Sequence, residues 1–437
     1  MKAFTDTLVT NEEGTMQSLV KICMHVRGVA RTDVRVMREA TVLAEAGFSV
    51  SIIDIENDPT RPTEEDLGEI HVKHMLRPDW FIPPRFKPWR IIKTMQKLLT
   101  TTLSLIRTPA DIYHAHDINA LVPCYIAAQL HRKLLVFDAH EMPLHELEDI
   151  RRRWARALIT QLFASIARTC AGVITVSPLI IREMYRRYHV TEVPLIRNIL
   201  PYRVVPRSNR LRQYLDLSSN VRIVLYQGNL QPNRTLDKLV RAARFLERDI
   251  VIVLMGRSVV STQAELEALV AKEGVAERVK IIPPVAYEEL LDWTSSADIG
   301  AIAYAPDHSI NARVELPNKL FEYLMAGLPV IASQLPSVSE IIETYDVGRV
   351  LSSVEPAAIG AEINAMLADR ARLERMHRNA LEASLHDLNW EKEGQQLLRL
   401  YHNILLKQNK GRNGQKVFQH TDTARALEGE PDAHSLR

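Results

Sequence analysis

Residues 220–256 read NVRIVLYQGNLQPNRTLDKLVRAARFLERDIVIVLMG. A run of β-branched and apolar residues (NVRIVLYQG, 220–228) ends at a glycine. A stretch with helical periodicity follows (TLDKLVRAARFL, 235–246), and then a second apolar run (DIVIVLMG, 249–256). Short apolar runs closed by Gly, Pro or polar residues read as strands buried on both faces, so this segment predicts a strand, a crossover helix and a parallel strand.

The same unit recurs in both directions. Upstream stand LVKICMHV (19–26), FSVSIIDI (48–55), KLLVFDAH (133–140) and AGVITVS (171–177); downstream stand RVKIIPP (278–284), DIGAIAY (298–304) and LPVIAS (328–333). Amphipathic stretches such as VRVMREATVLAEAG (34–47) and AELEALVAKEG (264–274) separate them. Repeated alternation of this kind predicts parallel α/β layers. The pattern weakens over 201–219, which holds Pro201 and Pro206, and resumes at Val221. The chain is therefore divided into a flexible N-terminus (1–18), a Rossmann-like domain (19–200), a hinge (201–219), a second Rossmann-like domain (220–385), a C-terminal helix (386–407) and a disordered polar tail (408–437).

Composition narrows the class. Hydrophobic residues are 46% and charged residues 25% of the 437, the balance of a globular protein. The net charge of +2 argues against a polycation built for nucleic acid. Cys23, Cys124 and Cys170 show no metal-ligand spacing and no disulfide pattern, which suits a reducing, cytoplasmic compartment. The N-terminus lacks the apolar core of a signal peptide, and no apolar run reaches the roughly 18 residues that span a bilayer.

Two α/β halves leave a cleft at facing strand ends, where ligands bind in such sheets. Neither G-x-G-x-x-G after the first strand nor G-x-x-x-x-G-K-[ST] is present, which counts against a dinucleotide oxidoreductase and a P-loop phosphohydrolase. The strongest local signal is ELPNKLFEYLMAGLPVIAS, residues 315–333. Pro317 suits the start of a helix, while Gly327 and Pro329 stop it. The N–H groups near Asn318, Lys319 and Leu320 would form an anion site, Lys319 would add charge, and Glu322 could accept hydrogen bonds from sugar hydroxyls. A capped core helix with a surface lysine is the plain alternative.

This segment resembles the donor-site segment of the GT-B retaining glycosyltransferases called family 4. The resemblance extends through YQGNLQPNRTLDKLVRA (226–242), IIPPVAYEELLDWTSSADIGAIAY (281–304), DIYHAHD (111–117), FDAHE (137–141) and DVRVMREATVLAEAGFSV (33–50). It implies a GT-B fold: two Rossmann-like, doubly wound domains facing a cleft, the first for the acceptor and the second for the donor. The implied donor is a nucleotide-diphospho-sugar acting as co-substrate, with no other cofactor and no required metal. The implied acceptor is a glycan or a lipid-linked hydroxyl.

Site roles follow residue by residue. The resemblance implies that Gly28 and Gly228 allow close approach to the donor phosphates. Arg234 would contact the diphosphate, Glu322 the ribose, and Pro284 and Val285 the base. His140 would face the transferred sugar, so His140, Glu322 and Arg234 are the catalytic candidates. The family often has a second basic residue after the glycine; Asn229 stands there, and Lys319 is expected to compensate. The family's other glutamate, eight residues before Glu322, is replaced by Val314, with Glu315 adjacent. Asp307, His308 and Asn311 are further polar candidates, each also readable as a plain loop residue. Asp33 and Arg35 are expected to stabilise the first loop by capping and pairing.

HEMPLH (140–145) is not a zinc helix, because Pro143 interrupts it and the second His is one residue late. His114 and His116 are read as structural strand-end residues rather than a metal pair. Finally, 77–107 carries Trp80, Phe81, Phe86 and Trp89 with Lys or Arg at 77, 85, 87, 90, 93, 97 and 107 against the one acid Asp79, and 151–168 is also basic. Basic residues among aromatics suit an anionic membrane surface, here the inner face of the membrane, and the alternative is two helices packed on their own domain. Two other functions stay open at this point: a nucleotide-sugar epimerase on the same fold, and a non-catalytic sugar-binding or assembly protein.

Overall fold

The computed structural model describes residues 19–425 except 57, 77–86, 146–151, 232–233 and 306–309. The first sheet contains β1 (Lys21–His25), β2 (Ser49–Glu56), β3 (Glu64–Leu67), β4 (Ile70–Leu76), β5 (Ile112–His116), β6 (Leu134–Ala139) and β7 (Gly172–Thr175) in the order β3-β4-β2-β1-β5-β6-β7. The second contains β8 (Arg222–Gln227), β9 (Ile250–Met255), β10 (Val279–Ile282), β11 (Ile299–Ile302), β12 (Val330–Ala332) and β13 (Gly348–Val350) in the order β10-β9-β8-β11-β12-β13. All pairings are parallel except β3 with β4. The chain is thus two doubly wound α/β domains. In each sheet the winding reverses once, between β1 and β5 and between β8 and β11, and the loops after those strands open a crevice at their carboxyl ends.

Strand composition explains the layering. β9, IVIVLM, is buried along its whole length because helices cover both sheet faces. β4, IHVKHML, alternates polar and apolar residues near the sheet edge and carries no continuous apolar run. On one face of the first sheet, Leu105, Leu121, Cys124, Phe163 and Ala164 form a core with β5 and β6. On the other, Val36, Ala40 and Leu43 pack with Trp390, Leu397, Tyr401 and Ile404.

The last contact corrects the linear reading. The C-terminal helix follows the second domain in sequence, yet its apolar stripe completes the core of the first. It runs from Trp390 to Arg425 rather than ending at 407. Residues 408–425 are polar, but they lack proline, and helix formation needs no apolar periodicity. Residues 1–18 and 426–437 lie outside the described residues. Within 201–219, Arg203 pairs with Asp292 at 2.9 Å, and Arg207 and Arg212 with Asp298 at 2.7 and 2.6 Å. These pairs bind that segment to the second domain.

Candidate active site

His140 follows β6, where the chain leaves the sheet. Its Nε2 donates to Asp138 Oδ2 at 2.8 Å, its Nδ1 is 3.4 Å from Asp117 Oδ2, and its backbone N–H donates to Asp117 Oδ1 at 3.2 Å. Burial alone would lower its pKa, but the Asp138 charge and hydrogen bond outweigh that and raise it to about 9. The imidazole is therefore a cation at neutral pH: it can donate a hydrogen bond or supply charge, and it has no free lone pair for base catalysis. Asp117 holds a left-handed φ of 66° with ψ 168°, the kind of backbone strain that concentrates at functional positions.

Behind His140 lies a buried ionic cluster. Arg35 Nε and Nη2 each meet an Asp138 oxygen at 2.8 Å, Arg35 Nη1 donates to the Ile196 carbonyl at 2.8 Å, and Nη2 is 3.0 Å from Glu39. Burial and Asp138 raise the Glu39 carboxyl to about 8 against the opposing pull of Arg35. Tyr401 on the C-terminal helix meets His114 Nδ1 at 2.8 Å. Glu39, His114, His116 and Asp138 have the donor chemistry of a cation site, with donor atoms within 4.8 Å of one another. The Arg35 guanidinium already supplies the positive charge in their midst. Arg35 thus departs from its expected role as a loop stabiliser: its helix position turns the side chain inward to the sheet, whereas Asp33 caps that helix through the Val36 N–H at 3.2 Å.

The second domain contributes the other wall. Gly228, with φ of 113°, follows β8, and a Cβ there would lie 3.3 Å from Lys319 Nζ. Lys319 is 7% exposed, and its Nζ has no hydrogen-bond partner among the described residues. Instead it lies 3.6 Å from the Tyr226 ring centre and 5.3 Å from that of Tyr304. Burial, with Arg234 nearby, pushes its ammonium well below the usual lysine range, and Glu322 only partly opposes this. Arg234 sits 4.3 Å over the Tyr304 ring and 3.9 Å from Glu315. Glu322 Oε2 accepts from Gln227 Nε2 at 2.6 Å, and Gln227 Oε1 accepts from Thr294 at 2.8 Å.

The structure thus gathers Gly228, Arg234, Lys319 and Glu322 into one pocket and sets His140 at the opposing strand ends. Asn318 is exposed at the helix start. One expectation changes: the Leu320 N–H is not a free anion donor, because it closes a tight turn onto the Pro317 carbonyl at 2.9 Å. Gly28 is exposed after β1, and a side chain there would meet no atom within 4 Å. Pro284 is exposed after β10, with Val285 packed partly on the domain core.

Val314 is buried in the core of the first domain, so this position binds the domains together. Nearby, Asn311 donates to Glu141 at 2.7 Å and accepts from the Met142 N–H at 3.1 Å. Asp307 and His308 lie outside the described residues, as do Trp80, Phe81 and Phe86. Sequence reasoning missed Asp117, Asp138, Tyr226 and Tyr304. Both aspartates lie in quoted motifs, two residues before His140 and directly after His116. The tyrosines read as strand residues, and nothing in the linear pattern marks them as partners of cations.

Comparison with known proteins identifies the family and the fold. Residues 32–200 match the model for Glycosyltransferase Family 4, and residues 208–383 match that for Glycosyl transferases group 1. The chain belongs to the group 1, family 4 glycosyltransferases, and its fold is GT-B. The D-inositol 3-phosphate glycosyltransferase of Nocardia farcinica is 28% identical over 388 residues, 84% of each chain. That of Xylanimonas cellulosilytica is 28% identical over 193 residues, and the match spans only 44% of each chain. Sucrose-phosphate synthase from Thermosynechococcus elongatus superposes with a TM-score of 0.73 at 18% identity, covering 89% of this chain and all of that one. The Anabaena HepE protein in complex with UDP and glucose superposes at 0.66 with 16% identity, covering 88% of this chain and all of the other.

Proposed function

We propose that this glycosyltransferase moves a sugar from a nucleotide-diphospho-sugar to an acceptor hydroxyl with retention of configuration, in the synthesis of a bacterial-type glycan or glycolipid. The observation that carries the reading is the placement of Arg234 and a buried Lys319 beside Gly228, two basic side chains with no carboxylate hydrogen-bonded between them among the described residues. Such a pocket fits a diphosphate. The neighbour solved with UDP and glucose favours the same donor class.

In this reading Arg234 and Lys319 stabilise the departing diphosphate, the part that a metal ion plays elsewhere. The acceptor oxygen bonds to the anomeric carbon as the bond from that carbon to the phosphate oxygen breaks. The acceptor proton passes to the departing phosphate oxygen on the same face. His140, held as a cation by Asp138, orients the transferred sugar by donating a hydrogen bond. Glu322, fixed by Gln227, accepts from the ribose.

The acceptor is a glycan or lipid-linked hydroxyl at an anionic membrane surface. Ile92, Met95, Leu99 and Leu103 make an exposed row on the helix Lys87–Ile106, and Trp154, Leu158 and Leu162 make another on Arg153–Thr169. Both helices pack on the same face of the first sheet, and Arg152 and Arg153 are exposed beside the second row. Basic residues beside an apolar stripe suit adsorption to anionic lipid. Among the described residues no helix is long and apolar enough to cross a membrane.

A thermal-shift screen with UDP, GDP, ADP and their sugars tests the donor claim, since a ligand of the folded state raises its apparent stability. Product analysis with and without acceptor then tests transfer: conversion of donor to an isomeric nucleotide-sugar without acceptor would count against it.

A further inference from the structure

We propose that the rings of Tyr226 and Tyr304 form a cradle for the two basic groups of the donor pocket, holding Lys319 and Arg234 over their faces, in place and charged to meet a diphosphate. This rests on the donor reading above. Lys319 Nζ is 3.6 Å from the centre of Tyr226, and Arg234 Cζ is 4.3 Å from that of Tyr304. Both rings are nearly inaccessible, Tyr226 at 0% and Tyr304 at 3% exposure. The Tyr226 hydroxyl donates to the Asn229 carbonyl at 3.0 Å, which ties the ring to the loop after β8.

Among the described residues the acids are poorly placed to do this work: Glu322 is engaged by Gln227, and Glu315 is 3.9 Å from Arg234. Burial works against the Lys319 charge; Glu322 offsets this in part, and the Tyr226 face adds to that support. The chemistry favours rings over carboxylates. A carboxylate bonded to Lys319 would repel an incoming diphosphate and would have to be displaced. An aromatic face attracts a cation without net negative charge, so the phosphates meet cations already in place and need expel no anion. The position of Tyr304 serves this end: it lies just past β11, beside β8 at the reversal of winding, and so faces both cations.

The test uses the full chain and inorganic pyrophosphate, which needs no knowledge of the base, with calorimetry on wild type, Tyr304→Phe, Tyr304→Leu and Tyr226→Phe. Both Phe variants should bind within about twofold of wild type, because the face is kept, while Tyr304→Leu should bind roughly tenfold more weakly. If Tyr304→Leu melts early, 3,4,5-trifluorophenylalanine at position 304 keeps the ring shape but drains its face, and should weaken binding in the same way. Equal binding by wild type, the Leu variant and the fluorinated variant overturns the cradle alone. So does a Tyr304→Phe as weak as Tyr304→Leu, which would assign the effect to the hydroxyl. A wild type that binds neither pyrophosphate nor any nucleotide in the screen overturns the donor reading and the cradle with it.

Discussion

His140 and Asp138, two residues apart at the end of β6, meet through a 2.8 Å hydrogen bond from Nε2 to Oδ2, and Arg35 grips the same carboxylate from behind. The imidazolium therefore depends on an aspartate that is itself fixed by a buried guanidinium.

The pH dependence follows. His140 titrates at about 9, above the ordinary histidine value of roughly 6.5. A raised folded-state pKa contributes stability that is complete below the unfolded value and lost as pH rises through the folded one. Stability should thus fall between about pH 6.5 and 9, and turnover should fall as pH rises through about 9, where the folded protein loses the ring proton. Asp138→Asn should move the limb of the rate profile to lower pH. Breaking a buried pair should also cost about 3–5 kcal/mol, since Arg35 loses its main counter-charge. NMR titration of the His140 ring, with urea unfolding at two pH values, checks both; an unmoved histidine titration removes Asp138 from this role.

Arg234→Ala should weaken nucleotide-diphosphate binding by about 1.5–3 kcal/mol, the size of a charge-assisted contact, and leave nucleoside binding nearly unchanged. Calorimetry with the two ligands measures the contrast. Equal losses for both would take Arg234 off the phosphates.

Glu322→Gln keeps the shape and an acceptor oxygen for Gln227 but removes the charge from ribose recognition. Donor affinity should fall while the melting temperature holds. Unchanged affinity would make Glu322 a structural partner of Gln227.

Asn311 binds the loop after His140 to the second domain through Glu141 and the Met142 N–H. Asn311→Ala should lower kcat several-fold with little change in donor binding, because that loop positions His140 and a small misplacement there is costly. Steady-state kinetics beside a nucleotide titration separates the two effects.

At the membrane, Leu158→Ser with Leu162→Ser should release the protein from anionic vesicles at high salt, where the apolar row carries the contact. Nucleotide affinity, which resides in the other domain, should not change. Sedimentation with vesicles decides it: wild type remaining in the supernatant at low salt rules out the surface.

The sequence by itself determined the two α/β halves, because each buried strand needs its own continuous apolar run and each crossover helix its own periodicity. It also determined the Gly228, Arg234, Lys319 and Glu322 positions, whose motifs are local. Only the tertiary structure decided their partners. The Arg35–Asp138 pair spans 103 residues and the Tyr401–His114 contact 287, and no local pattern encodes separations of that size. The C-terminal helix reads as an appendix of the second domain until its stripe is seen to complete the core of the first. Lys319 reads as the cation of an anion site at a helix start, and only the fold shows it buried against Tyr226. Burial and the choice of counter-charge depend on how sheets and helices pack in three dimensions, and that packing sets the charge state of the site.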